Sequence, residues 1–302
     1  MTAPGQVLIL GAGSQIAPFL SRHLAAAGYA GFALSREPLP AGMVLDPMFP
    51  WRPFDLDGDE IWPEDWAAGA ALISSVPLWL LPRHIPMLAE RGLTQVVAFS
   101  STSVATKRDS LSGADRRLAE RLRHAESDVA QACRERAIPC TVLRPTLVYG
   151  SGRDRNVSAI RDFRRRFGFV PVAGVASGLR QPVHADDLAI AAVRCLGNPK
   201  ACDLTLYVPG GDTFTYRVMV ERITQAAGLT PRILSVPVPL ILRLAQGAGS
   251  EGRLSKLCAV MLRMNQDLAF DAALAHAILG YEPRGFLEDR ARMQVPGSQD
   301  HP

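Results

Sequence analysis

At 302 residues the chain is long enough for a large hydrophobic core and roughly two domains. With 48% hydrophobic and 21% charged residues it is not a disordered chain, and a formal charge of +4 is mild enough that nucleic-acid binding would need the bases gathered into one stripe. Five cysteines (Cys133, Cys140, Cys195, Cys202, Cys258) with no C-x-x-C spacing read as free thiols in a reducing compartment and suggest no metal site.

The N-terminal "MTAPGQ" carries no basic leader with a cleavable apolar segment, so no signal peptide is expected. The most apolar run, "AAGAALISSVPLWLLP", is interrupted at Pro77 and Pro82 and is too short to span a bilayer. These features predict a soluble, cytoplasmic protein with neither membrane nor nucleic acid as partner.

In chain order, "QVLILG" (6–11) reads as a buried strand closed by glycine, and "SQIAPFLSRHLAAAGY" as a helix ending at Gly28. "GFAL" (31–34) follows as a second strand, which completes the start of a βαβ unit. Residues 35–66 are rich in Pro, Gly, Asp and Trp and predict loops around one short strand near Phe54. "GAALISS" (69–75) is a strand, 79–92 a helix, "QVVAFSS" (95–101) a strand, 113–136 a long charged helix and "CTVLRP" (140–145) a strand. This alternation predicts an α/β, Rossmann-type doubly wound parallel sheet over 1–150. Residues 151–292 predict a smaller mixed substrate lobe interleaved with the last core elements, and 293–302 a frayed tail. Helices are expected near 156–167, at 184–196, over "TYRVMVERITQAAG", after the strand of "RILSVPVPLILRLAQ", and before Gly280. The densest basic group, Arg161, Arg164, Arg165 and Arg166, reads most cheaply as a solvated helix face; an anionic-substrate pocket and a nucleic-acid contact stay open.

The stretch "VLILGAGSQIAPFL" (7–20) carries the first chemistry. Gly11 would let the chain leave the strand in a tight turn, and Gly13 would open backbone N–H groups at the helix start to a pyrophosphate. Ser14, Gln15, Ile16 and Ala17 follow, so alanine replaces the usual third glycine at the helix–sheet contact, a small steric change. At the end of the second strand stand Ser35 and Arg36, with no acid before Glu37. A guanidinium and a hydroxyl there suit a 2′-phosphate and favour NADP over NAD; a solvated Arg36 is the plainer alternative. Asp55, by its carboxylate, and Leu56, by its backbone, are candidates to cap the adenine.

"VLILGAGSQIA", "VVAFSSTSV", "HAE", "TVLRPTLVYGSGRD", "RQPVHADDLAIAA", "LYVPGGDTFTY" and "LGYEPRGF" recur in order across most of residues 6–288. Together they resemble an extended short-chain dehydrogenase/reductase of the NAD-dependent epimerase/dehydratase superfamily. The resemblance implies a Rossmann domain for NAD or NADP, and a C-terminal lobe closing over a small-molecule substrate, often a nucleotide-sugar or a ketone or alcohol. It places Ser75 and Val76 along the dinucleotide, Pro145, Thr146, Leu147 and Val148 near the nicotinamide, and a possible homodimer through the helices at 79–92 and 113–136.

The superfamily's proton chemistry uses a tyrosine with a lysine four residues on, whose charge lowers the phenol pKa. Counted back from "HAE", those positions fall on Ala119 and Arg123, and no tyrosine lies between Tyr29 and Tyr149. Ser101 matches the serine that steadies the substrate oxygen, and Arg123 could hold the cofactor ribose; these are the two catalytic candidates. Tyr149, His184, Asp186 and Asp187 read as structural, and Glu120 with His124 as a surface pair. Arg153, Asp154 and Arg155, with Arg161 and Arg164, could bring positive charge to the cleft mouth for a phosphorylated or nucleotide-linked ligand. An epimerase or oxidoreductase with a non-standard acid–base and a non-catalytic or regulatory NAD(P)-binding protein are the two main functional readings, with a scaffold whose cofactor site is vestigial as a third.

Overall fold

The computed structural model describes residues 5–58, 62, 68–152, 154, 156–247 and 252–288. The expected tail at 293–302, Arg153 and Arg155 lie outside those residues. The strands are β1 Gln6–Leu10, β2 Ala30–Ser35, β3 Trp51–Pro53, β4 Ala71–Ser74, β5 Gln95–Phe99, β6 Cys140–Pro145, β7 Val148–Tyr149, β8 Val170–Ala173, β9 Leu179–Arg180, β10 Val183–His184, β11 Leu204–Val208, β12 Phe214–Thr215 and β13 Ile233–Val236. The helices are α1 Ala17–Ala26, α2 Ile85–Glu90, α3 Ser103–Thr106, α4 Gly113–Arg134, α5 Val157–Phe167, α6 Ala185–Cys195, α7 Tyr216–Ala226, α8 Val238–Gly247, α9 Arg253–Leu262 and α10 Ala273–Leu279.

A seven-stranded sheet runs in the order β11-β6-β5-β4-β1-β2-β3, and every pairing in it is parallel. The chain reverses its winding between β1 and β4, so the crevice that takes ligands in such sheets opens at the carboxyl ends of these two strands. Alternation along β1 shows why the strand must be buried on both sides: Val7 and Ile9 enter the core under α1 and α6, Leu8 and Leu10 the core under α2 and α4. The helix expected at 79–92 is divided. Tight 3₁₀ turns occupy Leu78–Leu80 and Pro82–His84, and only Ile85–Glu90 is α-helical. Pro77, Pro82 and Pro86 lack the N–H that a continuous helix would need.

The lobe is built from two-stranded pairs, β7 with β10, β9 with β12 and β8 with β13, packed with α5, α7, α8 and α9. The chain returns to the main sheet through α6 and β11, which pairs with β6. Among the helices, α3, a single turn, and α9, whose apolar residues are split between core and solvent, escaped the sequence patterns, as did the short strands β7, β8, β9, β10 and β12. All five cysteines are free. Among the described residues no helix is long and apolar enough to cross a membrane.

Candidate dinucleotide site and lobe junction

The β1 tip is fastened to both neighbouring strands. Gly11 has φ +89°, and a Cβ there would lie 2.5 Å from Ser75 Oγ, so a residue with a side chain fits neither the backbone nor the space. The Gly11 and Ala12 N–H groups both donate to Leu34 O, at 2.9 and 3.0 Å, and Ser14 N–H donates to Gly11 O at 2.8 Å. Ser75 Oγ lies 3.0 Å from Leu10 O and 2.9 Å from Ser14 Oγ, tying β4 to the same turn. The N–H groups of Gly13, Gln15 and Ile16 are left without a hydrogen-bond acceptor among the described residues, just before α1. Gly13 has ordinary backbone angles, and a Cβ on it would meet only Pro40 Cδ, at 3.9 Å. The result is an open cradle of unpaired donors at a helix start, the arrangement that suits a phosphate. Ile16 is buried in the core and can serve only through its backbone, while Gln15 Oε1 accepts from Ser151 Oγ at 3.2 Å.

The β2 end is less open than the sequence suggests. Ser35 Oγ donates to Glu37 O at 2.8 Å and accepts from Trp51 Nε1 at 2.9 Å. Arg36 is exposed and 3.4 Å from Glu37 Oε1. Asp55 Oδ1 accepts the Asp57 N–H at 3.0 Å, a turn contact. Leu56 is buried, and its carbonyl accepts from Arg83 Nη2 and from His84 Nε2, so both lone pairs are engaged. An adenine contact through the Leu56 backbone would therefore fall to its N–H. Burial, assisted by the Arg83 charge, holds His84 below its ordinary pKa and favours the neutral ring, although the Leu56 hydrogen bond acts the other way.

On the other side of the crevice, the Thr102 N–H and Oγ1 both donate to Pro145 O, at 3.1 and 3.2 Å, fastening the β5 tip to β6. Ser101 Oγ accepts the Ser103 N–H at 3.1 Å. Thr146 Oγ1 donates to Gln181 O, Leu147 packs on the lobe core, and Val148 pairs with Val183. Val76 is half-buried beside these tips. Ser74 Oγ and Ser100 Oγ are buried without partners, at the ends of adjacent strands. Sequence reasoning passed over both; the serine pairs "ISS" and "FSS" were the available signal.

Helix α4 decides the proton chemistry. Its buried stripe is Asp115, Ala119, Leu122, Ala125, Glu126, Val129 and Cys133. Arg123 falls outside that stripe, is exposed, and places Nη2 2.7 Å from His124 Nε2. Each residue advances about 100° around a helix, so Arg123 lies about 40° past Ala119, at the solvent edge of the buried stripe. His124 and Glu120 sit with Trp79 and Arg121 on the outer face. Among the cations on the inner side is Arg144, which sequence reasoning missed. It clamps Glu126 through Nε (2.9 Å) and Nη2, and reaches Tyr207 Oη at 3.1 Å. The Glu126 hydrogen bonds raise the Arg144 pKa against the opposing effect of burial.

The residues read as structural do hold the lobe. Tyr149 Oη accepts the Leu287 N–H at 3.2 Å, and burial pushes its phenol up to about 12, so it stays protonated. His184 Nδ1 caps α6 by accepting the Asp186 N–H at 3.1 Å, with Phe19 and Tyr149 edge-on to its ring. Asp186 bonds His23 Nε2 on α1 at 2.6 Å, and Arg284 grips Asp186 and Asp187 together. A second tie joins the lobe to α4: Arg263 and Lys107 lie 2.5 and 2.9 Å from the Asp115 carboxylate. The basic group of α5 is split. Arg164 is buried and bonds Thr230 O, Arg161 pairs with Asp162 at 2.8 Å, and Arg165 and Arg166 are exposed. Arg180 is buried against Leu179, Gln266 and Arg263 carbonyls and the Tyr216 ring, with no carboxylate partner among the described residues; burial lowers its pKa to about 10.

No family model matches the chain. An uncharacterized protein y4nG of Sinorhizobium fredii is 30% identical over 156 residues, 51% of this chain and 38% of that protein. A UDP-glucose 4-epimerase of Vibrio cholerae is 23% identical over 166 residues, 55% of this chain and 48% of that one. The matches thus span less than half the length of these curated relatives. Among solved structures, gox2253 superposes with a TM-score of 0.71 at 18% identity, covering 93% of this chain and 94% of that one. MoeE5 in complex with UDP-glucuronic acid and NAD gives 0.68 at 19% identity over 94% and 95%. A UDP-glucuronic acid 4-epimerase of Bacillus cereus, in complex with UDP-glucuronic acid and NAD, gives 0.69 at 14% over 93% and 95%. The chain therefore shares the fold of these solved structures over nearly its whole length.

Proposed function

We propose that the chain binds a nicotinamide dinucleotide over the β1, β2 and β4 tips and a nucleotide-sugar at the lobe junction. The supporting observation is the cradle at Gly13, where unpaired N–H groups meet open space. Gly13, Ser14, Gln15 and the Ile16 backbone would hold the pyrophosphate; Ser75, Val76, Pro145, Thr146, Leu147 and Val148 would line the nicotinamide half. NAD is the better candidate. Arg36 is already bonded to Glu37, whose carboxylate would repel a 2′-phosphate, and two of the solved structures named above, MoeE5 and the Bacillus cereus epimerase, hold NAD. When bound, the nicotinamide accepts or delivers a hydride.

This chain's own residues can orient a substrate oxygen with Ser101 and exclude water with the lobe. No tyrosine on α4 can move the proton, because Ala119 and Leu122 fill its inner face. That loss favours binding with little or no turnover, since a placed acid–base contributes about 10²–10⁴-fold in rate. A homodimer through the outer face of α4, where Arg121 stacks 3.9 Å above the Trp79 ring, is the proposed assembly; the mass of the full chain in solution checks it.

Calorimetric titration of NAD⁺, NADH and NADP⁺ tests the dinucleotide site. Gly13→Asp, which adds a negative charge where the pyrophosphate would lie, is expected to weaken NAD⁺ binding at least about tenfold. Its melting temperature should stay near the parent's, because Gly13 needs no special φ. Equal affinity in parent and variant would place the dinucleotide elsewhere, and no binding at millimolar NAD⁺ would end the proposal. Titration of UDP-glucuronic acid into the NAD⁺-loaded chain tests the second site.

A further inference from the structure

Exposed large apolar side chains concentrate on one part of the lobe. Six of the fourteen among the described residues lie on α8 and α9: Leu240 (49% exposed), Leu242, Leu244, Leu254, Leu257 (56%) and Val260. The two helices pack together as a hairpin. Their inner sides supply Ile241, Cys258 and, half-buried, Val238, Ala245, Met261 and Leu262 to the core around β8 and β13. The core demand is thus met from within, and a second apolar surface remains on the outside. On α9, Leu254, Leu257 and Val260 recur every third residue along the outer face, and on α8 Leu240 and Leu244 lie one turn apart. Apolar patches of this kind on an otherwise polar surface mark a contact with something else.

Charge selects the occupant. From Arg232 to Arg263 the sequence carries five bases, Arg232, Arg243, Arg253, Lys256 and Arg263, and one acid, Glu251, outside the described residues. Arg243, Arg253 and Lys256 are exposed and form no ion pair among the described residues, whereas Arg263 is committed to Asp115. Arg253 and Lys256 stand among the outer leucines of α9. A second copy docked face to face would set these cations against their own counterparts with no acid among the described residues of the hairpin to offset them. A bilayer surface bearing anionic headgroups meets both demands: acyl chains take the leucines, and the headgroups take the cations.

We propose that the α8–α9 hairpin seats the protein peripherally on an anionic membrane surface, lying in the interface without spanning it. This departs from the sequence expectation of no membrane partner, which rested on the lack of a spanning segment. The inference stands apart from the proposed dinucleotide site. That site lies at the strand tips of the main sheet and the hairpin in the lobe, so vesicle binding can fail while NAD⁺ binding holds, and the reverse.

Flotation of the full chain with phosphatidylcholine vesicles, with and without phosphatidylglycerol, tests it. Binding is expected only with phosphatidylglycerol and should weaken as salt rises. Arg253→Gln with Lys256→Gln should reduce partitioning about 25-fold, about fivefold per cation. Leu257→Asp should abolish it while leaving the melting temperature unchanged, since Leu257 is already solvated. Failure to float on anionic vesicles would overturn the proposal, as would equal flotation of all variants. A mass that falls on Leu257→Asp, with no flotation, would assign the surface to a second copy instead.

Discussion

Arg284→Met is expected to lower stability by about 3–5 kcal/mol, because it leaves the buried Asp187 carboxylate without its cation and Asp186 with His23 alone. Arg284 Nε and Nη2 reach Asp187 Oδ1 at 2.9 and 2.7 Å, Nη2 also reaches Asp186, and the Arg284 N–H donates to Asp187 Oδ2 at 3.1 Å. All three side chains are largely buried, so water cannot replace the guanidinium cheaply. Methionine keeps the stem's apolar packing and removes the charge, which isolates the electrostatic loss. Chemical denaturation followed by circular dichroism reads it. The pH dependence follows from the same contacts. Burial alone would raise the Asp186 pKa, but the hydrogen bonds from His23 and Arg284 outweigh it and hold the carboxyl far below its ordinary range. A carboxylate depressed in the folded state contributes stability that is fully present above its unfolded pKa of about 3.9 and is lost as pH falls through the folded value. Asp115, held down by Lys107 and Arg263 against its own burial, adds to the same acid limb. The parent should therefore lose stability steadily below about pH 4, and Asp186→Asn should flatten that limb.

The sheet was legible because its strands are short branched runs buried on both faces, and such runs declare themselves without partners. The phosphate turn was legible for a similar reason: Gly11 and Gly13 act through their own backbone. What failed depends on the direction a side chain takes. Arg123 stands four residues after Ala119, and only the phase of α4 against the sheet shows that it sits at the solvent edge of the buried stripe while Glu126 and Arg144 meet inside. Ser35 looked available for a ligand because the sequence does not reveal that Trp51, sixteen residues on, claims its hydroxyl. The helix expected at 79–92 is shorter because Pro82 and Pro86 interrupt its apolar spacing. The outer leucines of α8 and α9 were invisible for another reason: composition cannot separate an apolar residue facing the core from one facing solvent.

Gly150→Ala should cost about 4 kcal/mol, although it adds one methyl group. Gly150 sits at φ +111°, a conformation strained for any residue with a Cβ. A Cβ there would lie 2.1 Å from His184 Nε2 and 2.3 Å from Cδ2. The imidazole has no free direction in which to yield. Phe19 and Tyr149 stand edge-on at centroid distances of 5.4 and 5.2 Å, and Nδ1 is held by the Asp186 N–H at the start of α6. Backbone strain of about 1–3 kcal/mol and overpacking of a similar size therefore add. Gly152→Ala is the control: its φ is +68°, but nothing lies within 4 Å of the added methyl, so only the backbone term of about 1 kcal/mol should appear. His184→Ala alone should be destabilising, through the lost cap and the cavity it leaves. In the double variant Gly150→Ala/His184→Ala the methyl occupies part of that cavity, so the two losses should sum to less than their separate values by at least about 1 kcal/mol. Strict additivity in urea denaturation would mean that the ring moves aside freely, and that the junction between β7, α6 and the lobe is not held by this contact.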